Sequence, residues 1–181
     1  LKVFSKKQVI DKKQVNNVMT ERIILEKINH PFIIKMYSAF ITSKQLVLAL
    51  EYCPGGDLFH HLHQVKRFHE DEAVFFLSEV ILALRELHEN KVIHRDLKPE
   101  NIMLDSEGHV RLVDFGDAAL DVNGAYDCKE MCGSLDYFSP EMLACRGYGS
   151  GIDLWALGCL TFELLTGLPP FHSGKDSKLL K

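Results

Sequence analysis

The sequence predicts an α+β fold in which a small, strand-rich part is followed by a larger and mainly helical part. Two strand-like runs end near residue 51, and amphipathic helical spacing dominates after it. Hydrophobic residues make up 46% of the 181 residues and charged residues 25%, the balance of a globular chain with a buried core. The glycine-bearing segment CPGGD lies between the two parts. We therefore expect two lobes joined by a hinge, with a cleft between them.

The small part is predicted to contain a sheet and one helix. Residues 1–4, LKVF, look like the end of a strand, and residues 12–28 have helical spacing. Two strands follow at 34–41 and 45–52, IKMYSAFI and QLVLALEY, around a turn at 42–44.

A carboxylate interrupts the apolar stripe of this first helix. Glu21 lies in the middle of the stripe, where an apolar residue is expected, and the stripe consists of Val15, Val18, Leu25 and Ile28. A buried carboxylate needs a cation, because its desolvation otherwise costs several kcal/mol. Lys2, on the preceding strand, is the candidate partner. Alone the pair is weak evidence of function, since surface ion pairs are common and contribute little.

The larger part is predicted to be helical around one pair of short strands. Residues 70–90 form an amphipathic helix with an apolar face of Ala73, Phe76, Leu77, Val80, Ile81, Leu84 and Leu87. Two strands at 102–104 and 109–113 follow, and then an irregular stretch to about residue 150. A helix at 152–166 is ended by Gly167 and the proline pair after it.

Charge and hydropathy exclude several classes of function. The net charge of −4 gives no basic face for general nucleic-acid binding. The most apolar run, LWALGCLTFELLTGL at 154–168, is interrupted by Glu163 and is too short to cross a bilayer, so we expect a buried helix and no membrane segment. The five cysteines are odd in number and form no CxxC pair, which indicates free thiols in a reducing compartment. With no targeting pattern, this predicts a cytoplasmic or nuclear location.

The stretch VIHRDLKPENIML, residues 92–104, concentrates acids, bases and an amide between two apolar runs. The ordinary interpretation is a solvated surface loop. Its residue types also suit chemistry: Asp96 can accept a proton from a hydroxyl, and Lys98 can neutralise a phosphoryl group. Asn101 and, further along in VDFG, Asp114 are oxygen ligands that suit Mg²⁺ beside phosphates, and Gly116 permits a sharp turn. A base, a cation and two metal-ligating oxygens together indicate phosphoryl transfer.

At these residues the sequence resembles the eukaryotic protein kinases, over essentially the whole chain. LKV is similar to the strand with the phosphate-binding lysine, and TERIIL to helix C of that family. HRDLKPEN is similar to the catalytic loop, DFG to the metal motif, SPE to the Ala-Pro-Glu motif and DLWALG to the start of helix F. The resemblance implies a two-lobed protein-kinase-like fold with a partial small lobe at 1–50, a hinge at 51–56 and a partial large lobe at 57–181.

The resemblance also implies roles for individual residues. Asp96 would be the catalytic base, Lys98 would assist at the γ-phosphate, and Lys2 with its partner Glu21 would complete the catalytic set. ATP and Mg²⁺ are the implied cofactors, with Leu50 at the gatekeeper position. The implied ATP-binding residues are Lys2, Glu51, Cys53, Asp57, Asn101 and Asp114, of which Asn101 and Asp114 hold the metal.

Several segments are most like the AGC group, the relatives of protein kinases A, B and C and ribosomal S6 kinase. LKPEN is the Ser/Thr form of the loop, while HPFIIKMYSAF, EYCPGGDLFHHL and CGSLDYFSPE resemble AGC sequences. CGSLDYFSPE and DLW are also similar to Aurora kinases. The implied partners are protein substrates with a Ser or Thr in an Arg-rich context, since carboxylates suit arginine recognition. The implied substrate-binding residues are Asp57, Glu100, Ser134 and Glu163.

Two of these assignments have alternatives. Asp57 suits the ATP ribose as well as a substrate arginine. Glu163 would otherwise be an ordinary charge on a helix face. The function itself also has alternatives, a pseudokinase acting as a scaffold or allosteric partner and a small-molecule kinase of the aminoglycoside type. HRDLKPEN together with SPE and DLW argues against the second of these.

The chain departs from the family pattern in the segment after DFG. AGC kinases usually carry a phosphorylated threonine two residues before the Cys-Gly pair, and this chain has Glu130 there. Its expected cation is Arg95, while positions that often add positive charge are Asn17 and Ala119. We hypothesise that Glu130 and Arg95 order the segment without phosphorylation at that position, which leaves any upstream kinase open. The alternative is that Glu130 is a solvated charge on a mobile loop. Asp117 adds a carboxylate near the metal motif.

The chain begins one residue before Lys2 and ends shortly after LPPF. No Gly-rich phosphate loop precedes the lysine, so the resemblance covers the middle of a kinase domain. We expect the isolated 181 residues to be poorly stable and weakly active.

Overall fold

The computed structural model describes residues 1–172. Its first sheet consists of three antiparallel strands. These are β1 (Lys2–Ser5), β2 (Met36–Ile41) and β3 (Gln45–Leu50), arranged in the order β1-β3-β2. Lys2 lies opposite Leu48 on the central strand. The strands predicted near the amino terminus are confirmed.

Two helices connect β1 to β2. They are α1 (Lys6–Asp11), which was not predicted, and α2 (Val15–Lys27). The helix expected at 12–28 thus begins three residues later, and Lys13 has a positive φ of 56° in the turn before it. The prediction that Val15 is buried is wrong, because it lies in the first turn and is 47% exposed. The buried face of α2 starts at Val18.

The second sheet is built from strands that are distant in sequence. It contains β4 (Gly56–Asp57), β5 (Ile102–Leu104) and β6 (Val110–Leu112), in the order β4-β5-β6. All neighbours are antiparallel. The short strands predicted around DSEG are confirmed, with β6 two residues shorter than expected. This sheet places the end of the segment at 92–104 beside β4, which leads directly into the helix at Leu58–Val65.

The larger part begins with two helices, α3 (Leu58–Val65) and α4 (Glu70–Glu89). The amphipathic helix predicted at 70–90 is confirmed. Ile81, however, is 49% exposed. It follows Val80 directly and is rotated away from it by about 100°. Ala83, three positions after Val80, fills the buried face instead.

The carboxy-terminal part of the described chain contains α5 (Pro140–Leu143) and α6 (Gly151–Thr166). Short 3₁₀ turns lie at Pro99–Asn101 and Leu135–Tyr137. The stretch after residue 113, which was predicted to be irregular up to residue 150, therefore contains two elements, the second of these turns and α5. Gly167 ends α6 as predicted, with a left-handed φ of 92°. A Cβ at this position would lie 2.3 Å from the Lys66 carbonyl oxygen.

One main core joins elements of both parts of the chain, and representative buried members are Ile24, Leu84, Leu112, Phe115 and Leu160. A smaller cluster supports the segment after DFG and contains Ile93, Cys128, Met142, Tyr148 and Ile152. Within residues 1–172, no helix combines the length and apolarity needed to cross a membrane. All five cysteines are free thiols.

Candidate active site

Lys2 and Glu21 form the ion pair that the interrupted apolar stripe predicts. Lys2 Nζ lies 2.7 Å from Oε1 and 2.8 Å from Oε2 of Glu21. It also donates to Asp114 Oδ1 at 3.1 Å. Glu21 is only 2% exposed, so its charge is balanced by Lys2 and not by water. The structure thus brings three predicted site residues together from β1, α2 and the DFG motif.

Burial and charge act in opposite directions on these groups. Burial alone would lower the pKa of Lys2, but the carboxylates of Glu21 and Asp114 reverse this and raise it above its ordinary value. Burial would raise the pKa of Asp114, yet the Lys2 ammonium holds it below its usual range. Lys2 therefore stays cationic and Asp114 anionic at neutral pH.

The catalytic-loop residues form a compact hydrogen-bonded set. Lys98 Nζ lies 2.8 Å from Asp96 Oδ2 and donates to Ser134 Oγ at 2.8 Å. Ser134 in turn donates to Asp96 Oδ1 at 2.8 Å. Asn101 Nδ2 donates to both the backbone oxygen and Oδ2 of Asp96, at 2.8 and 2.9 Å. Asp96 is therefore oriented by three side chains.

Asn101 and Asp114 fit a divalent metal ion. The amide nitrogen of Asn101 faces two oxygens of Asp96, so its amide oxygen points away and is left as a ligand. The backbone carbonyl of Asn101 accepts from Val113 N–H at 3.0 Å, which holds the residue next to Asp114 in place. The Asp114 side chain is half exposed toward a cleft that Lys2 and Asp96 also line. Carboxylate and amide oxygens are the donors that Mg²⁺ prefers.

A buried acid that sequence reasoning missed shapes this loop. Asp153, at the start of α6, is fully buried and accepts from the backbone N–H groups of His94 at 2.9 Å and Arg95 at 3.0 Å. It also pairs with Nε2 of His88 at 2.8 Å. Arg95 has a positive φ of 67°, a conformation that needs such support in a residue other than glycine. The signal was an acid at the start of a strongly apolar helix.

Gly133 makes a close approach to this loop possible. Its φ is 93°, and a Cβ there would lie 2.3 Å from the carbonyl oxygen of Arg95. The glycine places the following residue, Ser134, within reach of Lys98 and Asp96.

The predicted nucleotide-binding residues of the hinge lie outside the lining of the Lys2 cleft. The Glu51 carboxylate binds Arg111 Nε at 3.1 and 3.2 Å, so its side chain is already engaged. Cys53 is buried, and burial raises the pKa of its thiol to about 11. Asp57 caps α3 by accepting from His60 N–H at 2.7 Å. The adenine contact of the Glu51 and Cys53 backbone, implied by the family resemblance, therefore stays a prediction.

A second cavity contains most of the predicted substrate-binding residues. Lys98, Glu100, Ser134 and Glu163 all line it, together with Tyr137. Glu163 is 5% exposed and accepts from the Tyr137 hydroxyl, so the alternative of a solvated helix-face charge is wrong. Burial raises the pKa of Glu163, and the nearby Glu100 adds to this shift. The cavity thus brings the carboxyl groups of Glu100 and Glu163 to the same lining as the cationic Lys66 and Lys98.

The segment after DFG is anchored by Arg95. Arg95 Nη1 lies 2.9 Å from Glu130 Oε2, as predicted, although the Glu130 side chain is 77% exposed. The Arg95 Nε donates to the backbone carbonyl of Asp117. The Tyr148 hydroxyl donates to the Glu130 carbonyl and accepts from Arg95 Nη1 at 3.2 Å. Glu130 is therefore held through both its side chain and its backbone.

The two positions that often add positive charge in the family make contacts other than with Glu130 here. Asn17 donates to Asp117 Oδ1 at 3.2 Å. Ala119 pairs through its backbone with Ile93, at 2.9 and 3.0 Å. The Asp117 side chain lines the cleft that contains Lys2, and its Oδ1 accepts the hydrogen bond from Asn17.

Known proteins were compared with this chain. Residues 1–181 match the family described as Protein kinase domain. The chain is 42% identical to the cAMP-dependent protein kinase catalytic subunit of Schizosaccharomyces pombe over 99% of this chain and 35% of that protein. It is 43% identical to the RAC family serine/threonine-protein kinase homolog of Dictyostelium discoideum, over 96% of this chain and 39% of that protein. For the ribosomal protein S6 kinase beta of Caenorhabditis elegans the identity is 44%, over 99% of this chain and 33% of that protein.

These matches confirm the resemblance and the fold class that the sequence motifs predict. The chain spans less than about two fifths of the length of each of these relatives. Since the family match covers every residue and the relatives are AGC-type serine/threonine kinases, this chain belongs to the protein kinase domain family.

Proposed function

We propose that this chain is the catalytic part of a serine/threonine kinase that transfers the γ-phosphoryl group of Mg-ATP to protein hydroxyls. The observation that carries the proposal is the Asp96–Lys98–Ser134 set, with contacts of 2.8 Å. Asp96 of this set also lines the cleft that contains Lys2 and Asp114. The proposed division is a small lobe at 1–50, a hinge at 51–56 and a large lobe from residue 57.

The geometry suits a base that orients the attacking hydroxyl. The Asp96 side chain is an acceptor fixed by Ser134 and Asn101, so it can accept a hydrogen bond and then a proton from a substrate Ser or Thr. Lys98 lies beside the carboxylate and adds positive charge where the phosphoryl group would pass. Lys2, held by Glu21, is positioned to bind phosphate oxygens. A magnesium ion held by Asn101 and Asp114 would neutralise phosphate charge when bound.

Every catalytic position in the chain carries a residue able to act, which does not favour the pseudokinase alternative. The direct test uses the full-length natural protein, produced in bacteria without an upstream kinase. Phosphate transfer from Mg-ATP to an Arg-rich serine peptide is measured, with Asp96→Asn as the control. Transfer that is lost in the control supports the proposal, whereas no transfer by the natural protein contradicts it.

The second cavity supports a preference for arginine near the target hydroxyl. Glu100 and Glu163 both line it, as does Lys98 of the catalytic loop. A carboxylate pair in a partly enclosed groove suits a guanidinium, which can donate two parallel hydrogen bonds. Tyr137 fixes one of the two carboxylates by its hydroxyl.

We expect Glu100→Gln to reduce discrimination between an Arg-containing serine peptide and the same peptide with that arginine replaced by alanine. The ratio of the two kcat/KM values should fall about fivefold, because a charge-assisted contact is lost at an exposed position. Glu107→Gln is the matched control, since Glu107 is an exposed acid in the turn between β5 and β6. An unchanged ratio in Glu100→Gln would contradict this substrate preference.

We also propose that Glu130 and Arg95 hold the segment at 119–138 without phosphorylation at position 130. The contact of 2.9 Å supports this, and so does the bond from Tyr148 to the Glu130 carbonyl. One carboxylate carries less charge than phosphothreonine, so the Glu130–Arg95 contact is weaker than the contact of a phosphate with Arg95 would be.

Glu130→Ala should lower kcat/KM about threefold and speed limited proteolysis within 119–138. The effect is modest because an exposed ion pair contributes only about 0.2–1 kcal/mol. Lys129→Ala, at the exposed neighbouring position, controls for a general change in the loop. If activity and proteolysis are the same in both variants and the natural protein, Glu130 is only a solvated charge.

A further inference from the structure

A side-chain contact ties the first turn of α2 to the segment that follows Asp114. Asn17 Nδ2 donates a hydrogen bond to Asp117 Oδ1 at 3.2 Å, although the two residues are 100 positions apart. Both side chains are partly buried in the wall of the cleft that contains Lys2. The contact joins the helix that carries Glu21 to the segment that carries Asp114.

The position of Asn17 along α2 couples this contact to the Lys2–Glu21 ion pair. Asn17 and Glu21 are four positions apart, so their side chains lie on one face of the helix and one turn apart. Glu21 binds Lys2 with both carboxylate oxygens, at 2.7 and 2.8 Å. A movement of the first turn of α2 would therefore displace Glu21 from Lys2.

The amino-terminal end of α2 lacks stabilising groups of its own. Gln14 at the N-cap makes no side-chain capping bond, and the first turn of the helix contains no acidic residue. A carboxylate near the first turn stabilises the positive end of the helix dipole. Asp117 supplies that charge from a distant part of the chain, and the Asn17 amide fixes where it lies.

Asp117 is also held from the opposite side. Its backbone carbonyl accepts from Nε of Arg95, and the same guanidinium binds Glu130 at 2.9 Å. Asp117 thus contacts α2 through its side chain and the Arg95–Glu130 pair through its backbone. The position of α2 is in this way linked by direct contacts to the catalytic loop.

We propose that Asn17 and Asp117 are positioning residues that hold α2 where Glu21 binds Lys2. The predicted effect on turnover rests on the proposed kinase activity, whereas the predicted effect on α2 does not. When the contact is broken, fewer molecules have the Lys2–Glu21 pair formed. The apparent affinity for ATP falls in proportion to that population.

The test compares four variants of the full-length protein: Asn17→Ala, Asn17→Asp, the reversed pair Asn17→Asp with Asp117→Asn, and Asn16→Ala. Asn16 is the matched control because it is the same residue type at the preceding position of α2, which is exposed. One readout is KM for ATP against KM for peptide. The other is hydrogen–deuterium exchange of residues 15–27 without nucleotide, which needs no activity.

Asn17→Ala should raise KM for ATP about fivefold and speed exchange of residues 15–27, since a hydrogen bond to a charged group is lost. KM for peptide should stay unchanged. A general loss of stability would lower the amount of active protein and would not raise KM for ATP alone. Asn17→Asp should be worse, because it opposes two carboxylates. The reversed pair keeps one amide and one carboxylate, so both readouts should return toward those of the natural protein.

Equal exchange in Asn17→Ala, Asn16→Ala and the natural protein would overturn the proposal. A reversed pair that behaves like Asn17→Asp would also overturn it. If the natural protein transfers no phosphate, the proposed function fails, and the exchange measurement alone then decides whether the pair holds α2.

Discussion

Asp96→Asn is expected to reduce the turnover number for phosphate transfer by about 10³-fold, within the range that general-base catalysis contributes. Asparagine removes the charge and the capacity to accept a proton. Its amide can still satisfy the local contacts: the oxygen can accept from Lys98 and Asn101, and the nitrogen can donate to Ser134. The fold should therefore be retained while the chemistry is lost.

Two measurements separate these effects. Single-turnover transfer from Mg-ATP to peptide reports the chemical step, and urea denaturation reports the free energy of unfolding. We expect the free energy of unfolding to change by less than about 1 kcal/mol, because the hydrogen bonds are preserved. Turnover within tenfold of the natural protein would show that Asp96 is not the base.

Asp153→Asn is expected to lower the free energy of unfolding by about 2–4 kcal/mol, the largest stability effect we predict. Both carboxylate oxygens of Asp153 accept from backbone N–H groups, one from His94 at 2.9 Å and one from Arg95 at 3.0 Å. An asparagine offers one oxygen and one N–H₂ group, so a buried donor would face another donor. Activity should fall as well, since the loop that carries Asp96 loses its support.

The measurement is urea denaturation of the full-length protein. Asp121→Asn is the matched control, because Asp121 is exposed and has a positive φ of 56° that asparagine tolerates. The control should stay within about 0.5 kcal/mol of the natural protein. A similarly small loss in Asp153→Asn would mean that the loop keeps its shape without the buried carboxylate.

Local patterns in the sequence predicted the elements and one ion pair well. The interruption of an apolar stripe at Glu21 was enough to predict its pairing with Lys2, because a buried carboxylate requires a cation. The end of α6 at Gly167 also followed from residue type alone.

Contacts between distant segments could not be predicted in the same way. Asp153 binds backbone groups, and a backbone N–H leaves no mark on the sequence. Asn17 and Asp117 are both ordinary polar residues, and only the fold brings them together across 100 positions. Ile81 was misplaced because apolar residue type does not by itself separate the edge of a helix face from its centre.

The support of Arg95 by Asp153 has a consequence for the synthesis of the protein. The left-handed conformation of Arg95 costs about 1–3 kcal/mol when nothing offsets it. Its partner is translated 58 residues later, which takes roughly 3 to 12 s at ribosomal rates of about 5–20 residues per second. During that interval the nascent catalytic loop lacks the acceptors that fix its shape. The catalytic loop is therefore expected to reach its final shape late, after the amino-terminal strands have emerged and only once α6 has left the ribosome.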